Sequence, residues 1–432
     1  MSKANLIISI ETANRELYPK VFLSYKFAET GNVAYVGTKD NIYGLVQYLD
    51  NLIYLDKGYH AQISELIYDK LIKKSAVIIS LDEENGVDYD DFSTISDRFP
   101  EKIFHIFGQI FLWGSKQYQY LRENRQSFDD KNIFCYGHPR FEILKPSYRF
   151  LYDDETLNIR KKYNNFILIN TSFGLGNNLL SDDAVVKNYK NRVPNVEKIM
   201  EYHKLQVKNF IELAVELSKL NRFNIILRPH PEEDMRVYKH ALEGIKNIHV
   251  VHSGSVVPWL MAAEVMIHHD CTTSLESAMI GKSSIAYTKD LNSTLTPTIP
   301  HRISYRYDSL GEVINNITNE EYKVRFIDDK ILEDYFSFSK NTTQLIIKTM
   351  INSQNVNHCK NPDRNLFFFK IKKNIKYFLK EVFGQKNKLF SQKIKGMDYE
   401  KVKDLIAKLN KEFDTCIKVA RVNKYLFKIY QD

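Results

Sequence analysis

The chain has 432 residues, 44% of them hydrophobic and 26% charged, a globular composition long enough for two to three domains with full cores. No leader peptide is expected, because the apolar run 6–10 is short and broken by Glu11; no run nears the roughly 18 apolar residues of a membrane span, and the four cysteines (Cys135, Cys271, Cys359, Cys416) lack the spacing of a disulfide framework or a zinc site, so a reducing cytoplasm is expected. The formal charge of +8 is local: residues 366–396 hold nine lysines and one glutamate, so the rest of the chain is near neutral.

In chain order, residues 5–10 read as a first strand ending at Glu11-Thr12, followed by a helix from Asn14 to about Glu29 that Gly31 stops. Strands follow at 33–36, 52–55 and 76–80, with helices over 42–49 and from Gly58-Tyr59-His60 to Ile72. Residues 103–107 and 133–136 look like later strands, with a helix over 109–122 between them, and Gly137-His138-Pro139-Arg140 closes the unit. This predicts a doubly wound α/β domain over 1–150. The polar, charged stretch 146–164 reads as a linker. A second α/β domain, 165–352, opens with a strand at 166–170. Its polar stretch 174–195 suits a lid, and a helix over 197–220 carries an apolar stripe. Short β-branched runs at 224–227, 248–251, 265–267 and 284–287 predict parallel strands of βαβ units. Residues 289–330 look irregular, helix 331–351 is placed to cross back to the first domain, and 399–423 reads as helical within a C-terminal extension, 353–432.

The chemistry-bearing residues stand at the carboxyl ends of these strands, where such sheets bind ligands. In the first domain they are Glu11 and the triplet Asp82-Glu83-Glu84. Crowded carboxylates are expected to raise at least one pKa, which suits a general base acting on a hydroxyl acceptor. Tyr59, His60 and Trp113 are candidates for lining the acceptor side. In the second domain Arg228 and His230 lie in an Arg-Pro-His-Pro turn whose prolines fix the loop. Thr272-Thr273-Ser274 open a helix whose hydroxyls and free N–H groups suit an anion, and Glu276 in its first turn suits ribose hydroxyls. Asn170 and Thr171 follow the first strand, where a loop commonly touches ligand. The run His268-His269-Asp270-Cys271 is not read as a metal site, because adjacent strand residues point to opposite faces. No GxSxG elbow and no GxxxxGK[ST] loop occurs, which excludes a serine hydrolase of that type and a P-loop kinase.

Within 366–396, Ile371, Ile375, Phe378, Leu379 and Val382 recur at helical spacing with Lys370, Lys373, Lys376 and Lys380 interleaved. A basic amphipathic helix suits either an anionic membrane surface or packing on its own domain with its lysines in solvent, and no nucleic-acid motif accompanies the charge.

Taken as a set, ISIETANREL, AETGNVAYVG, ISLDEENG, YGHPRFEIL, ILINTSFG, LRPHP and HHDCTTSLESAMIGKSSIAY resemble the bacterial surface carbohydrate biosynthesis proteins over about residues 5–290. That family is similar in layout to GT-B glycosyltransferases. The resemblance implies two doubly wound Rossmann-like domains facing a central cleft, with a basic helical C-terminal extension. It further implies transfer of a nonulosonic acid (pseudaminic, legionaminic or sialic acid) or Kdo from a CMP-activated donor, as co-substrate, to a glycan or lipid-linked glycan acceptor, without a metal or other cofactor. By the same resemblance Asp82, Glu83 and Glu84 take the acidic role, His230-Pro231 the His-Pro role, and Thr272-Thr273 the hydroxyl pair that holds the CMP phosphate. Asn85, inserted before Gly86, departs from the acidic motif. The Arg-Pro-His-Pro turn is also similar to that of polymerases using CDP-glycerol. A CDP-glycerol-type polyol-phosphate transferase, a sugar-nucleotide epimerase and a non-catalytic assembly scaffold therefore stay open. The expected location is the cytoplasm, peripheral at the inner face of the membrane.

Overall fold

The computed structural model describes residues 3–84, 88–89, 92–190, 193, 195–352, 362–383 and 388–432. The chain divides into two compact units. One comprises Met1–Leu151, Lys330–Lys386 and Gly396–Asp432, the other Tyr152–Asp329 and Asn387–Lys395.

Among the described residues the first unit holds six parallel strands: β1 (Asn5–Ile10), β2 (Val33–Thr38), β3 (Leu52–Asp56), β4 (Val77–Leu81), β5 (Gln109–Leu112) and β6 (Ile133–Cys135). β1, β2 and β3 are buried along their whole length, which is why they read as continuous apolar runs rather than alternating ones. The parallel order is β2-β1-β3-β4-β5-β6, so the winding direction reverses between β1 and β3. One core, including Ile7, Leu45, Tyr54, Ile67 and Phe99, packs against this sheet.

The second unit holds β7 (Phe166–Asn170), β8 (Asn224–Arg228), β9 (Ile248–Val250), β10 (Val265–His268), β11 (Ser284–Tyr287) and β12 (Tyr305–Tyr307), all parallel, in the order β12-β11-β10-β7-β8-β9. Here the reversal falls between β7 and β10. Register sets Asn170 beside Arg228 on one side and His268 on the other. Helix Val196–Ser218 covers the sheet with Val207, Phe210, Leu213, Ala214 and Leu217.

Two further strands, β13 (Lys418–Asn423) and β14 (Leu426–Tyr430), form a hairpin whose second strand pairs antiparallel with β2. The expectation of a helical tail over 399–423 holds only for Tyr399–Phe413, capped by Asp398. The remainder completes the first unit's sheet. β14 lies so close to β2 that a Cβ on Gly37 would stand 2.6 Å from Leu426 Cδ1 and 2.8 Å from the Tyr425 carbonyl oxygen.

Other expectations also change. The strand expected at 103–107 is a 3-10 helix, Glu101–His105, and the helix expected over 109–122 is β5 followed by helix Ser115–Asn124. The run from Ile103 to Trp113 offers two apolar segments, and the one able to pair with both β4 and β6 becomes the strand. Residues 146–164 are not a linker but a 3-10 turn, Pro146–Leu151, and a helix, Asp153–Tyr163. The charges there follow the helix dipole: three acidic residues open the helix, and Arg160, Lys161 and Lys162 end it. Stretch 174–195 carries helix Asp182–Tyr189, and Val185 joins Val196 and Met200 in a small core of their own. Region 289–330 is not irregular: it includes β12 and helix Leu310–Thr318, opened by a Ser309/Glu312 capping box. Helices Asp329–Phe336 and Thr342–Asn352 stand where one helix was expected, and residues 330–352 belong to the first unit rather than the second. Helix Pro362–Phe383 and strands β13 and β14 are parts of the same unit, not a separate extension.

Candidate functional site

The carboxyl edge of the first sheet carries a dense charge cluster. Glu11 follows β1, Lys57 follows β3, Asp82-Glu83-Glu84 follow β4, and His138 follows β6; helix Ala13–Ala28 adds Arg15, Glu16 and Lys20. Glu16 is fully buried and central: Lys20 Nζ donates to it at 2.7 Å and Lys57 Nζ at 2.8 Å. Lys20 Nζ also donates to the Ser9 carbonyl (2.8 Å) and stands 3.0 Å from Glu83.

The four predicted catalytic carboxylates are all in this cluster, in different situations. Asp82 is buried; Arg98 Nε donates to it at 2.6 Å, and the Glu84 N–H at 2.7 Å. Glu83 is buried beside Lys20, and its Oε2 has no hydrogen-bond partner among the described residues. That oxygen faces His138 Nε2 at 3.8 Å, which also lacks a hydrogen-bond partner among the described residues. His138 Nδ1 accepts the Arg140 N–H (3.1 Å), so the neutral ring carries its proton on Nε2, toward Glu83. Glu84 and Glu11 keep solvent access, with side chains 48% and 40% exposed. Arg15 pairs with Glu84 at 2.6 Å, and Lys57 and Lys39 with Glu11 at 2.9 and 3.3 Å.

Like-charge crowding does not set these pKa values. Burial raises Asp82 against the pull of Arg98. Burial would raise Glu83 and Glu84 too, but the charges of Lys20, His138 and Lys57 together outweigh it at Glu83, and those of Arg15, Arg98 and Lys57 together at Glu84, leaving both below the ordinary range. At Glu11 the Lys57 and Lys39 charges overcome burial and hold the carboxyl at about 2. Burial, aided by Arg140, Lys20 and Arg15, pushes His138 down to about 4 despite Glu83. Trp113 is buried, donating its indole N–H to the Asp82 carbonyl (2.6 Å), and Tyr59 is buried with its hydroxyl on Glu65, so neither lines an open surface.

In the second unit three strand ends are tied together. Glu233, fully buried, accepts at Oε1 from the Thr171 hydroxyl (2.7 Å), the Phe173 N–H (3.0 Å) and the His230 N–H (3.0 Å), and at Oε2 from the Tyr238 hydroxyl (2.5 Å). It joins the loops after β7 and β8. Across the winding reversal Asn170 Nδ2 donates to Thr273 Oγ1 at 3.0 Å, and Ser172 donates to Asp270. His230 is half-buried; its Nδ1 accepts the Glu232 N–H (3.3 Å), which leaves Nε2 as the donor of the neutral ring.

Three predicted roles change. Arg228 is buried and spends its guanidinium on the Ser253 (2.7 Å) and Gly254 (3.0 Å) carbonyls, so it shapes the loop after β9; burial lowers its pKa to about 10. The hydroxyls of 272–274 do not cap helix Thr273–Met279. Thr272 is exposed and makes no side-chain cap bond, Thr273 donates to Cys271 Sγ (3.1 Å), and Ser274 to the Cys271 carbonyl (2.9 Å). Glu276 is buried at 3% exposure rather than presented to ribose hydroxyls. Nearby, His268 bonds Ser304, and His269 bonds Tyr202 and the Tyr287 carbonyl. Among the described residues, no group of three His, Cys, Asp or Glu side chains is placed to hold a metal ion.

Sequence reasoning missed Glu233, His138, Lys20 and Glu16. The Glu-Glu pair after His-Pro and the His-Pro after β6 were visible signals. Lys20 and Glu16, inside a helix, gave none.

No family model matches the chain, and no curated protein matches it. Solved structures do. The wall teichoic acid polymerase TagF soaked with CDPG aligns at TM-score 0.51 and 12% identity, over 81% of this chain and 88% of that one. UDP-GlcNAc 2-epimerase from Neisseria meningitidis bound to UDP-GlcNAc aligns at 0.50 and 11%, over 82% and 100%. MnaA from S. aureus, a co-structure with UDP, aligns at 0.51 and 12%, over 84% and 100%. At this identity the likeness shows the fold: two Rossmann-like units of the GT-B type.

Proposed function

We propose that this chain is a glycosyltransferase that moves a sugar, a nonulosonic acid such as pseudaminic acid, from a CMP-activated donor to a surface glycan acceptor. The observation that carries the reading is the knitting of three strand ends at the reversal between β7 and β10. Doubly wound sheets bind nucleotides at such a point, and Glu233 fixes Thr171 and His230 there. The named contents of the fold neighbours (CDPG, UDP-GlcNAc, UDP) favour a nucleotide-linked substrate.

In this reading the second unit takes the donor. His230 Nε2–H and the turn at Thr272 and Thr273 stabilise charge developing on the single phosphate of the leaving CMP, so no metal is needed. The carboxylate edge of the first unit takes the acceptor. Glu84 and Glu11, with exposed side chains, receive its hydroxyl, and Glu83 positions the cluster from beneath through Lys20. A carboxylate held ionised below the usual range suits orienting a hydroxyl, or stabilising an oxocarbenium-like centre, better than a raised pKa would.

A second reading, transfer of a polyol phosphate from a CDP-glycerol-type donor, is favoured by the Arg-Pro-His-Pro turn and the likeness to TagF. A thermal-shift panel of CMP, CDP, UDP and GDP tests the cytidine donor class that both readings share. CMP at saturating concentration should raise the melting temperature by about 2 °C or more, and Glu233→Gln should abolish that shift. CMP leaves both donors, so donor screening divides them: CMP release from CDP-glycerol in the presence of acceptor, and none from a CMP-sugar, would favour the polyol reading. A response to UDP alone would overturn both and point to an epimerase-like substrate.

A further inference from the structure

We propose that the outer face of helix Pro362–Phe383 docks on an anionic lipid surface. One face of this helix is committed to its own unit. Phe369 is buried and packs edge-on to Tyr48 with ring centres 5.4 Å apart. Lys373 Nζ donates to the Asp40 carbonyl (2.8 Å) and carboxylate (2.7 Å), and the Tyr377 hydroxyl accepts from Asn41 at 2.9 Å. The close approach relies on Gly44, where an added Cβ would come within 3.0 Å of the Phe369 ring and 3.1 Å of Lys373 Cε.

The other face has no such partner among the described residues. Phe367, Phe368, Ile371 and Ile375 are 60%, 61%, 43% and 55% exposed. At about 100° per residue they fall within an arc of about 100°, and Phe369, Lys373 and Tyr377 occupy another on roughly the opposite side. Four large apolar side chains gathered on one turned-out stripe are an interaction site rather than scattered surface residues. Their borders name the occupant. Lys370 and Lys372 are exposed at the edges of the stripe, in a segment with nine lysines and one glutamate. A protein groove would match the apolar stripe alone; a lipid surface with anionic headgroups matches the stripe and its cationic border together. No described helix is long and apolar enough to cross a membrane, so this helix would lie in the interface plane. The sequence placed Lys373 among the solvent-facing lysines; the structure makes it an anchor to Asp40. The side chains of Phe378, Leu379, Lys380 and Val382 lie outside the described residues.

Deleting 366–396 would be a poor test, because it also removes the Phe369 and Lys373 anchors. The test is co-sedimentation of the full chain with phosphatidylcholine vesicles, pure or containing one third phosphatidylglycerol. Wild type should bind the anionic vesicles at least about tenfold better than the neutral ones, with the preference fading as salt rises. The exposed-face variant Phe367→Ser/Phe368→Ser/Ile371→Ser should fall to the neutral-vesicle level with an unchanged melting temperature. Should that variant fail to fold, Lys370→Glu/Lys372→Glu carries the test and should lose about tenfold. Equal binding to both vesicle types, or variants that bind like wild type, overturns the proposal. So does a wild-type dimer in ultracentrifugation that the same substitutions disperse, since the stripe would then join two copies of the chain.

Discussion

Glu83 and Glu84 are neighbours in sequence with opposite fates. Glu83 turns inward to Lys20 and His138, whereas Glu84 turns outward to Arg15 with about half its side chain exposed. Their amide variants should therefore separate chemistry from stability. Glu84→Gln is expected to keep the CMP-induced thermal shift and cut turnover about a hundredfold, the usual scale for a lost carboxylate in a transfer site. Glu83→Gln removes one of the two buried carboxylates beside Lys20, leaving Glu16, and should instead lower stability by about 1.5–3 kcal/mol, the scale of a lost buried charged contact. Equal turnover in wild type and Glu84→Gln, measured by CMP release, would remove Glu84 from the reaction.

At the level of elements, the hairpin of β13 and β14 depends on a bare position in β2. A side chain on Gly37 would meet the Tyr425 carbonyl, a backbone atom that cannot swing aside. Gly37→Val should therefore destabilise by about 2–3 kcal/mol in urea unfolding, and an unchanged midpoint would mean that the hairpin is dispensable. The same hairpin shows why part of the fold was hidden from the sequence. β1, β4, β7, β8, β10 and the helix Val196–Ser218 were legible because buried parallel strands and amphipathic helices write their periods locally. Residues 418–430 could be read as strands only by knowing that β2, far earlier in the chain, offers a free edge. The candidate site divides in the same way. Strand ends announced Asp82–Glu84, His230 and the 272–274 turn. The roles those residues take were set by distant partners such as Lys20, Glu233 and the loop after β9, which claims Arg228. Strand-end position told where chemistry collects, and not which side chains were already committed.

Across the whole molecule, several histidines are kept neutral by their surroundings. Burial is the leading cause in each: His138, His203 and His252 are pushed down to about 4, and His268 to about 3. Unfolding returns them to about 6.5. Between those values the unfolded chain binds protons that the folded chain refuses, so stability is full above about pH 6.5 and drains away as pH falls toward 4. Each such histidine contributes a slope of up to about 1.4 kcal/mol per pH unit in that window. The paired carboxylates act lower down. Glu11, held at about 2, contributes above its unfolded value near 4.5 and loses that contribution as pH falls toward 2. The melting temperature should thus begin to fall below pH 6.5, before the lowered carboxylates Glu11, Glu83 and Glu84 titrate. A melting temperature flat from pH 6.5 to 5 would mean that these imidazoles are less secluded than their packing implies.

The pairing of β14 with β2 also governs the order of assembly. On the ribosome the edge at Val33–Thr38 emerges early, while its neighbour at Leu426–Tyr430 appears only after the entire second unit has been made. Throughout that interval the nascent chain carries an open row of unpaired amides and carbonyls, the kind of template on which strands from other chains add. Cellular yield of this protein is therefore tied to how well that early edge is shielded until its late neighbour arrives.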